Sequence, residues 1–426
     1  MDELITETDR TQKEYLDAIT DIESSLFPKM NLKKILWNET IYCQQKVNML
    51  KVWVATLLFE TSLIEKKINN HDLLCIHTVF YRTDHDGYWE KIKNDAGIHD
   101  EINIYNKSKK IDFKHILIKI QWYMSAYKEL NGICQKRHRQ YLALQLTRRK
   151  WTLEEIKKMD LSPKAVMCFF DSSPDESVLM QYFKQQGAVT FTNQHGQSIF
   201  RSWDYDRLNQ SQLLNFKCDY YLAKGSMQIQ QFINAGFSKE HFISIGIIDN
   251  KETMLKQNDT NIFGVYLDGP EFEYLNKGNE RMLEVAKVIS KSINMKYFIK
   301  IHPVDNADRY SKYVGNNCIG IYDKSIKLEQ TFEQIKFGIM HASSTYVDLY
   351  SYGVRCFQLQ EDEFKISYIE DVFSNVDELC EKIDEWEKTS NNDKKEYINK
   401  VRRLYDSGWH KGLVGDVIRR HINCGE

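Results

Sequence analysis

Two short apolar runs, each followed at once by a histidine, constrain the fold of this chain more than any other feature. Residues 297–301 run into His302 and Pro303, and residues 337–340 run into His341. A short apolar run closed by polar residues is typical of a strand that is buried on both faces. We therefore predict two strands of a parallel sheet here.

The second run also begins a unit of strand, helix and strand. Residues 345–352 have a helical pattern, Gly353 follows them, and 354–359 is again mostly apolar. Glycine is common just past a helix end because it takes the left-handed conformation at little cost. Units of this kind build parallel sheets.

The two histidines fall where a ligand would bind. Ligands of open α/β sheets lie beyond the carboxyl ends of the strands, and His302 and the segment 341–344 would lie at such ends. If the strands are near neighbours, an imidazole, two hydroxyls and the N–H groups of a helix N-terminus would line one crevice, which suits a phosphate. The plainer interpretations are that Ser343 or Ser344 only caps the helix and that His302 is structural.

Composition excludes several classes of protein. The 426 residues exceed one ordinary core, and 58 basic against 60 acidic residues give no global basic field of the kind that indicates nucleic acid binding. The nine cysteines form no Cys-x-x-Cys pair, which predicts neither a zinc site nor a disulfide framework and favours the cytoplasm.

The chain opens with acidic residues, unlike a signal peptide, and its longest apolar run, 52–59, is too short to span a bilayer. Any membrane contact is therefore expected to be peripheral.

The predicted elements divide the chain into three parts. Residues 1–249 form an acceptor-side α/β domain with a helical N-terminal region, and 250–375 form a nucleotide-donor-binding α/β domain. The remaining residues, 376–426, are helices that could cross back onto the first domain. The polar segment 249–261 lacks periodicity and is interpreted as the linker.

The clearest strand of the first half is 165–170, which runs into Asp171. Ser173 as N-cap, Pro174 at the first helical position and Glu176 three residues after the cap predict a helix that starts with a capping box. Polar residues also follow three further predicted strands, 188–193, 219–223 and 262–267. These residues are Gln194, His195, Gly196, Lys224 and Asp268.

A basic run, 136–150, lies on a long helical stretch. The plainer interpretation is a solvated helix face. A second interpretation is a surface that docks on anionic lipid headgroups or on an anionic acceptor, since Trp122 and Met124 lie on the same stretch.

The motifs together resemble the GT-B glycosyltransferases. His-Gly at 195–196, Lys-Ile-His-Pro at 300–303 and the Ser-Ser motif at 343–348 come in an order similar to that of bacterial enzymes of surface polymers. These include the CDP-glycerol glycerophosphotransferases and the sialyl- and Kdo-transferases. The resemblance covers about 165–360. It implies two Rossmann-like domains facing across a cleft, extra terminal helices, and a nucleotide-activated donor used without a metal or other cofactor.

The resemblance also implies roles for residues. His195 matches the general base, His302 contacts the donor phosphate, and Ser343 and Ser344 hold phosphate or ribose. The predicted donor-binding set is Lys300, His302, Pro303, His341, Ser343, Ser344 and Asp348. Other cleft candidates are Asp171, Glu176, Gln194, Gly196, Lys224 and Asp268. The chain departs from the phosphotransferases at His341-Ala342, where they often have Asp-Tyr, and at Gln197, where they often have Thr.

The chemistry of these residues agrees with the resemblance. A departing nucleotide gains negative charge, which hydroxyls, a histidine and a helix N-terminus can stabilise without a metal. The acceptor hydroxyl must lose a proton, and His195 could take it. The alternative for His195 is a hydrogen-bonded turn residue. The other candidates for the base are Asp171, Asp268 and Glu176, of which Glu176 is disfavoured because the predicted capping box occupies it.

Four interpretations of function remain open at this stage. The first is a glycosyltransferase that moves a sugar from a nucleotide donor to a carbohydrate or lipid-linked acceptor in bacterial surface polysaccharide synthesis, in the cytoplasm or peripherally on the membrane. The others are a polyol-phosphate transferase that uses CDP-glycerol or CDP-ribitol, a nucleotide-sugar epimerase, and a non-catalytic copy of the fold. A metal-dependent GT-A enzyme is a weaker rival, suggested by the Asp-x-Asp patterns at 84–86 and 204–206.

Overall fold

The computed structural model describes thirteen stretches of the chain. They are residues 7–60, 63–68, 72–78, 83–98, 100–105, 110–194, 218–234, 236–246, 254–256, 259–269, 273–315, 317–360 and 369–423. Every structural statement below refers to these residues.

The α-helices fall before, between and after the strands. They are α1 (Glu7–Ile19), α2 (Leu32–Leu36), α3 (Glu39–Tyr42), α4 (Met49–Leu57), α5 (Thr83–Ala96), α6 (Ile116–Glu129), α7 (Lys136–Lys157), α8 (Pro174–Gln185), α9 (Ser226–Asn234), α10 (Glu273–Ser292), α11 (Leu328–Phe332), α12 (Thr345–Tyr352), α13 (Val376–Lys388), α14 (Asn391–Tyr405) and α15 (Leu413–Asn423). No helix among the described residues combines the length and the apolar character that crossing a bilayer requires.

The strands form two sheets. They are β1 (Leu63–Lys67), β2 (Leu73–Thr78), β3 (Asp100–Tyr105), β4 (Ala165–Cys168), β5 (Val189–Asn193), β6 (Tyr220–Ala223), β7 (Phe242–Ser244), β8 (Ile262–Tyr266), β9 (Lys296–Lys300), β10 (Cys318–Tyr322), β11 (Phe337–Met340), β12 (Arg355–Leu359) and β13 (Val372–Phe373).

The first sheet has seven strands in the order β1-β3-β2-β4-β5-β6-β7, and all its pairs are parallel except that of β1 with β3. The second has six parallel strands in the order β10-β9-β8-β11-β12-β13. The second order is that of a Rossmann sheet, in which the chain winds outward in both directions from the centre. The predicted α/β architecture with two Rossmann-like sheets is confirmed, and helices precede the first strand and follow the last.

Both faces of each sheet are covered by helices, as parallel strands require. Along β4, Ala165 and Met167 pack against α5, α9 and α15, whereas Val166 and Cys168 pack on the opposite face against helices that include α7 and α8. The second sheet lies between α10 and α13 on one face and α12 and α14 on the other. The apolar runs of the sequence are thus strands buried on both sides.

The C-terminal helices connect the two sheets. Helix α14 packs on α12 and contacts α9, while α15 packs on α5 of the first sheet. The Asp95 carboxylate accepts hydrogen bonds from the N–H groups of Gly412 and Val414. The Ser407 N–H donates to the carbonyl of Lys224 at 2.8 Å.

Two local predictions from the sequence are wrong. The sequence Asp-His-Asp-Gly at 84–87 predicts a turn, but these residues lie in the first turns of α5. The helical pattern of residues 1 to about 65 predicts helix at 63–65, but strand β1 begins there. Strand β1 is an antiparallel edge strand with the sequence LIEKK, and charged edge strands of this kind carry little of the apolar signal of a buried strand. Of the two Asp-x-Asp patterns, 84–86 belongs to α5 and 204–206 lies outside the described residues.

Candidate active site at the switch point of the second sheet

The second sheet has its switch point between β8 and β11. From there the chain proceeds through β9 and β10 on one side and through β12 and β13 on the other. Loops that leave such a point in opposite directions open a crevice beyond the strand ends, where ligands of this fold class bind. Asp268 follows β8 and His341 follows β11, so both lie at this point.

Asp268 joins the ends of these two strands. Its Oδ2 accepts a hydrogen bond from the Ala342 N–H at 3.0 Å and lies 3.3 Å from Nδ1 of His341. The side chain of Asn279 fixes the backbone of Asp268 on the other side, because Oδ1 accepts from the Asp268 N–H at 2.9 Å and Nδ2 donates to its carbonyl at 3.1 Å. The carboxylate is therefore held in one position.

The ring of His341 is fully buried against α10. A Cβ atom at Gly278 would overlap Nδ1 and Cε1 of this ring, so only glycine fits at that helix position. The carbonyl of His341 accepts from Nε2 of Gln358 at 2.5 Å. Because Nδ1 faces a carboxylate, that nitrogen carries the proton in the neutral ring. His341 thus positions the loop that leads into α12.

The start of α12 carries three hydroxyl residues. Ser344 is exposed at the N-cap position, where its side chain makes no capping hydrogen bond within the described part of the chain. Ser343 is half-buried, and its Oγ accepts only a long bond, 3.4 Å, from the Thr345 N–H and donates to Oγ1 of Thr345 at 3.1 Å. A capping role thus accounts for little of this cluster.

His302 lies at the end of β9, the neighbour of β8 on the side away from β11. The three adjacent strands β9, β8 and β11 therefore present His302, Asp268 and the segment 341–344 in that order. His302 is half-buried, and its Nδ1 accepts from the Val304 N–H at 3.5 Å. The strands that carry the two histidines are separated by a single strand.

Three other predicted donor residues have different surroundings. Lys300 is buried, and its ammonium donates to the carbonyls of Asp323 and of Ile326, the latter at 2.7 Å. Burial lowers the pKa of this ammonium. Lys300 therefore holds the loop 323–326 rather than standing open to a ligand, whereas Pro303 and Asp348 are exposed.

The switch point of the first sheet lies between β2 and β4, and Glu176 bridges it. Its two carboxylate oxygens accept from the N–H groups of Thr78 and Phe170, each at 2.6 Å. Glu176 is fully buried, and this burial raises the pKa of its carboxyl to about 8 even though the N–H donors oppose the shift. The predicted capping box is wrong, because Glu176 bonds to strand ends and Ser173 Oγ donates to Thr78 Oγ1 at 3.2 Å.

The remaining candidates in the first sheet join the ends of β4, β5 and β6. Asp171 Oδ2 accepts from the Cys218 N–H at 3.1 Å, and Gln194 Oε1 accepts from the Lys224 N–H at 2.7 Å. The Lys224 ammonium lies 5.0 Å from the ring centroid of Tyr88. His195, Gly196 and Gln197 lie outside the described residues, so the role of His195 as general base stays a prediction.

Much of the basic run 136–150 is engaged inside the first domain. Arg149 is buried between Glu39, at 3.0 Å, and Asp175, at 2.6 Å. Arg139 donates to the hydroxyl of Tyr127 at 2.6 Å. This run therefore does not form the continuous exposed basic face that the membrane interpretation needs.

Comparisons with known proteins find several solved structures that are similar to this chain. The chain is similar to the lipopolysaccharide outer core galactosyltransferase WaaB, with 12% identity over 83% of this chain and 100% of that one and a TM-score of 0.48. It is similar to S. aureus MnaA bound to UDP, with 10% identity over 83% and 96% of the two chains and a TM-score of 0.49. It is also similar to TarM, with 15% identity and a TM-score of 0.45 over 65% of this chain, and it spans 58% of that structure. No family model and no curated protein sequence matches the chain.

Sequence reasoning missed two residues that build the site, Gly278 and Asn279. The sequence pattern predicts a helix that starts only at about residue 280, after both of them, whereas α10 begins at Glu273. A glycine within a helix often marks a close approach to another group, and here that group is His341. Asn279 gave no comparable signal, because its partner Asp268 is eleven residues away in a separate element.

Proposed function

We propose that this protein is a glycosyltransferase that transfers a sugar from a nucleotide-activated donor to a carbohydrate or lipid-linked acceptor, in bacterial surface polysaccharide or glycoconjugate synthesis. The donor phosphates would bind at the second switch point, between His302 and the hydroxyls of Ser343 and Ser344. The observation that carries this proposal is the Asp268–His341 contact, which fixes the loop 341–344 at the carboxyl end of β11.

The arrangement suits the chemistry of sugar transfer. The nucleotide leaves as an anion, and hydroxyl and imidazole donors placed around its phosphate stabilise the charge as it develops. Asp268 accepts from the backbone and faces His341, so it shapes the site and leaves the contact with the phosphate to Ser343, Ser344 and His302. The acceptor proton is assigned to His195, as the resemblance implies.

The first test is a titration of the full chain with CMP, CDP, UDP, GDP and ADP, followed by thermal unfolding. A ligand that binds only the native state stabilises it by about 2.7 kcal/mol at one hundred times its Kd. A UDP or GDP preference supports a sugar donor, and a CMP preference supports either a sialic or Kdo donor or polyol-phosphate transfer. A response to none of the five would contradict the proposal and favour a non-catalytic copy of the fold.

Adding an intact donor to the same assay distinguishes sugar transfer from polyol-phosphate transfer and from epimerisation. Polyol-phosphate transfer predicts that CDP-glycerol or CDP-ribitol is consumed only when an acceptor is present. An epimerase predicts conversion of the nucleotide sugar with no acceptor at all. Sugar transfer predicts release of the nucleotide in proportion to the sugar that appears on the acceptor.

Two histidine variants assign roles within the site. His302→Ala should weaken nucleotide binding at least about ten-fold, the effect of one lost hydrogen bond to a charged group. The control is His410→Ala, since His410 is exposed and lies next to α15 of the first sheet.

His195→Ala should leave nucleotide affinity unchanged and lower turnover about 100-fold, as expected for a lost general base. Near-normal turnover of that variant would remove His195 from the mechanism.

A further inference from the structure

The exposed apolar side chains of this protein are concentrated in one place. Among the described residues, sixteen large apolar side chains are more than a third exposed, and nine of them lie within the two segments 50–58 and 111–124. Single exposed apolar residues are ordinary, whereas a contiguous group marks an interaction surface.

The two segments form one surface. The Leu58 carbonyl accepts from the Asp112 N–H at 2.9 Å, and Phe59 pairs with Ile111. Further along the helices, Trp53 of α4 contacts Tyr123 of α6 with ring centroids 4.4 Å apart. The exposed apolar residues of α4 therefore lie beside those of α6.

We call this surface the α4–α6 patch. Its main residues are Leu50, Val54, Leu58, Phe113, Leu117 and Met124. Leu50, Val54 and Leu58 are spaced at four-residue intervals and share one face of α4. Three of the six side chains are largely exposed, namely Leu50 and Phe113 at 74% and Leu117 at 77%.

The charged residues of the two segments that form the patch are mostly basic. Segments 43–60 and 110–129 together hold six lysines and three acidic residues, in a chain whose formal net charge is −2. Four lysines of the two segments are exposed. They are Lys46 before α4, Lys51 on α4, Lys114 just before α6 and Lys128 near the end of α6.

The three acidic residues of these segments are already occupied. Glu60 pairs with Lys110 at 3.0 Å, and Asp112 pairs with the buried Lys119 at 2.8 Å. Glu129 accepts from Ser24 Oγ at 2.8 Å and from the Ser25 N–H at 2.9 Å. The acids within these segments therefore have partners other than the four exposed lysines.

We propose that the α4–α6 patch docks on the surface of an anionic phospholipid bilayer. Helices that lie in the membrane interface present an apolar face flanked by lysine or arginine, and the apolar side chains enter the boundary between headgroups and acyl chains. The lysines then contact anionic headgroups, each strengthening binding about five-fold. A second copy of the chain is the less suitable occupant, because a two-fold contact would bring the same lysines of both copies together.

This surface is separate from the switch point of the second sheet, so the inference does not depend on the proposed function. The test uses the full chain without nucleotide, in co-sedimentation with vesicles of phosphatidylglycerol and phosphatidylcholine and with vesicles of phosphatidylcholine alone. The chain should bind the anionic vesicles at least about ten-fold more tightly, and added salt should weaken this binding. Equal binding to both kinds of vesicle, or none to either, would overturn the proposal.

Variants locate the contact. Leu117→Asp with Met124→Asp should lower the partition onto anionic vesicles at least about ten-fold, because two apolar groups are replaced by charges that the headgroups repel. Val288→Asp is the matched control, since Val288 is 51% exposed on α10 of the second sheet, and it should bind as the unchanged chain does. Thermal unfolding of the three proteins verifies that each is folded.

Lys114→Glu with Lys128→Glu tests the charge. This variant should bind anionic vesicles at least about twenty-five-fold less tightly, from two lysines at about five-fold each. If sedimentation equilibrium instead shows a dimer that the Leu117→Asp, Met124→Asp variant abolishes, and the chain ignores vesicles, the patch is a subunit interface and the proposal is wrong. Nucleotide affinity should be the same in all the variants, so a failure of the proposed function would appear there and not in the vesicle assay.

Discussion

Glu176 joins the ends of β2 and β4 in the first sheet, and Asp268 joins the ends of β8 and β11 in the second. Each carboxylate thus lies at a switch point and accepts backbone N–H groups there. Around Glu176 the residues that follow β4, namely Asp171, Ser172 and Ser173, are each no more than 3% exposed. Beside Asp268, the loop that follows β11 ends at exposed Ser344, and half-buried His302 follows the neighbouring strand β9.

The N-terminal helices account for much of this difference. Asn38, just before α3, donates to the Ser172 carbonyl at 3.2 Å, and Glu39 of α3 meets Arg149 of α7. Arg149 also pairs with Asp175 in the first turn of α8. These contacts cover the first switch point with protein. The same strand arrangement therefore gives a structural junction in one sheet and an accessible loop in the other.

The largest expected effect on stability is at the buried switch point of the first sheet, which we call the closed junction. Glu176→Ala leaves the N–H groups of Thr78 and Phe170 without their acceptor and should lower the free energy of unfolding by about 4 kcal/mol, measured by urea denaturation. Glu176→Gln keeps one acceptor oxygen and should lose about half as much. Nucleotide affinity should not change in the folded variants, and a large loss of affinity would show that the first switch point takes part in donor binding.

Gly278→Ala tests the open site through its tightest contact. The new Cβ would overlap the ring of His341, so the variant should lose about 2 kcal/mol of stability and should bind nucleotide about ten-fold more weakly as the loop 341–344 shifts. Gly87→Ala in α5 is the matched control, because no atom lies within 4 Å of a Cβ built there. That control should be neutral or slightly stabilising, by less than about 1 kcal/mol. Normal nucleotide affinity in the Gly278→Ala protein would show that the position of His341 does not affect nucleotide binding.

The closed junction also predicts a pH dependence. Burial raises the pKa of Glu176 from 4.5 to about 8, so the native state keeps its proton where the unfolded state has released it. The resulting stability is fully present below pH 4.5 and is lost as the pH rises towards about 8. We expect the unfolding free energy to fall by about 1 kcal/mol between pH 5 and pH 6 relative to Glu176→Gln, which does not titrate. Parallel curves for the two proteins would contradict this assignment.

The smallest effect on stability is expected at Ser344. Ser344→Ala should change the unfolding free energy by less than about 0.5 kcal/mol, since the side chain is exposed and makes no cap, but it should raise the nucleotide Kd about five-fold. Ser351→Ala, at the other end of α12, is the control for binding, because its hydroxyl bonds only to the Val347 carbonyl in the described structure. Equal Kd values for the two variants would remove Ser344 from the donor site.

The sequence predicted the second sheet better than the first junction, for a physical reason. Strands β9, β11 and β12, helix α12 and Gly353 with φ of 88° are determined by local apolar patterns and a local helix stop, and all are found where predicted. The bonds of Glu176 are not local. Its partner Thr78 is 98 residues away. The local sequence satisfies the capping-box pattern, so it gives no sign that the Glu176 carboxylate accepts a hydrogen bond from Thr78 instead.

The contacts of the site itself were predictable only in part. Strand ends identified His302, Asp268 and His341 as candidates, because position at a strand end can be read from the pattern. The structural role of Lys300 could not be predicted in the same way, because the carbonyls to which its ammonium donates belong to the separate loop 323–326. The pairing of Asp268 with His341 required the strand order, which places β8 next to β11.

The position of α15 has a consequence for the order in which the protein is built. Val414 and Ile418 of this helix complete the core of the first sheet, although β7, the last strand of that sheet, ends at Ser244. During synthesis, the face of the first sheet that α15 covers therefore stays incomplete until the entire second sheet and α14 have been made. The domain that leaves the ribosome first is the last to be finished, and a nascent chain stalled between the two would expose the surface that α15 later covers.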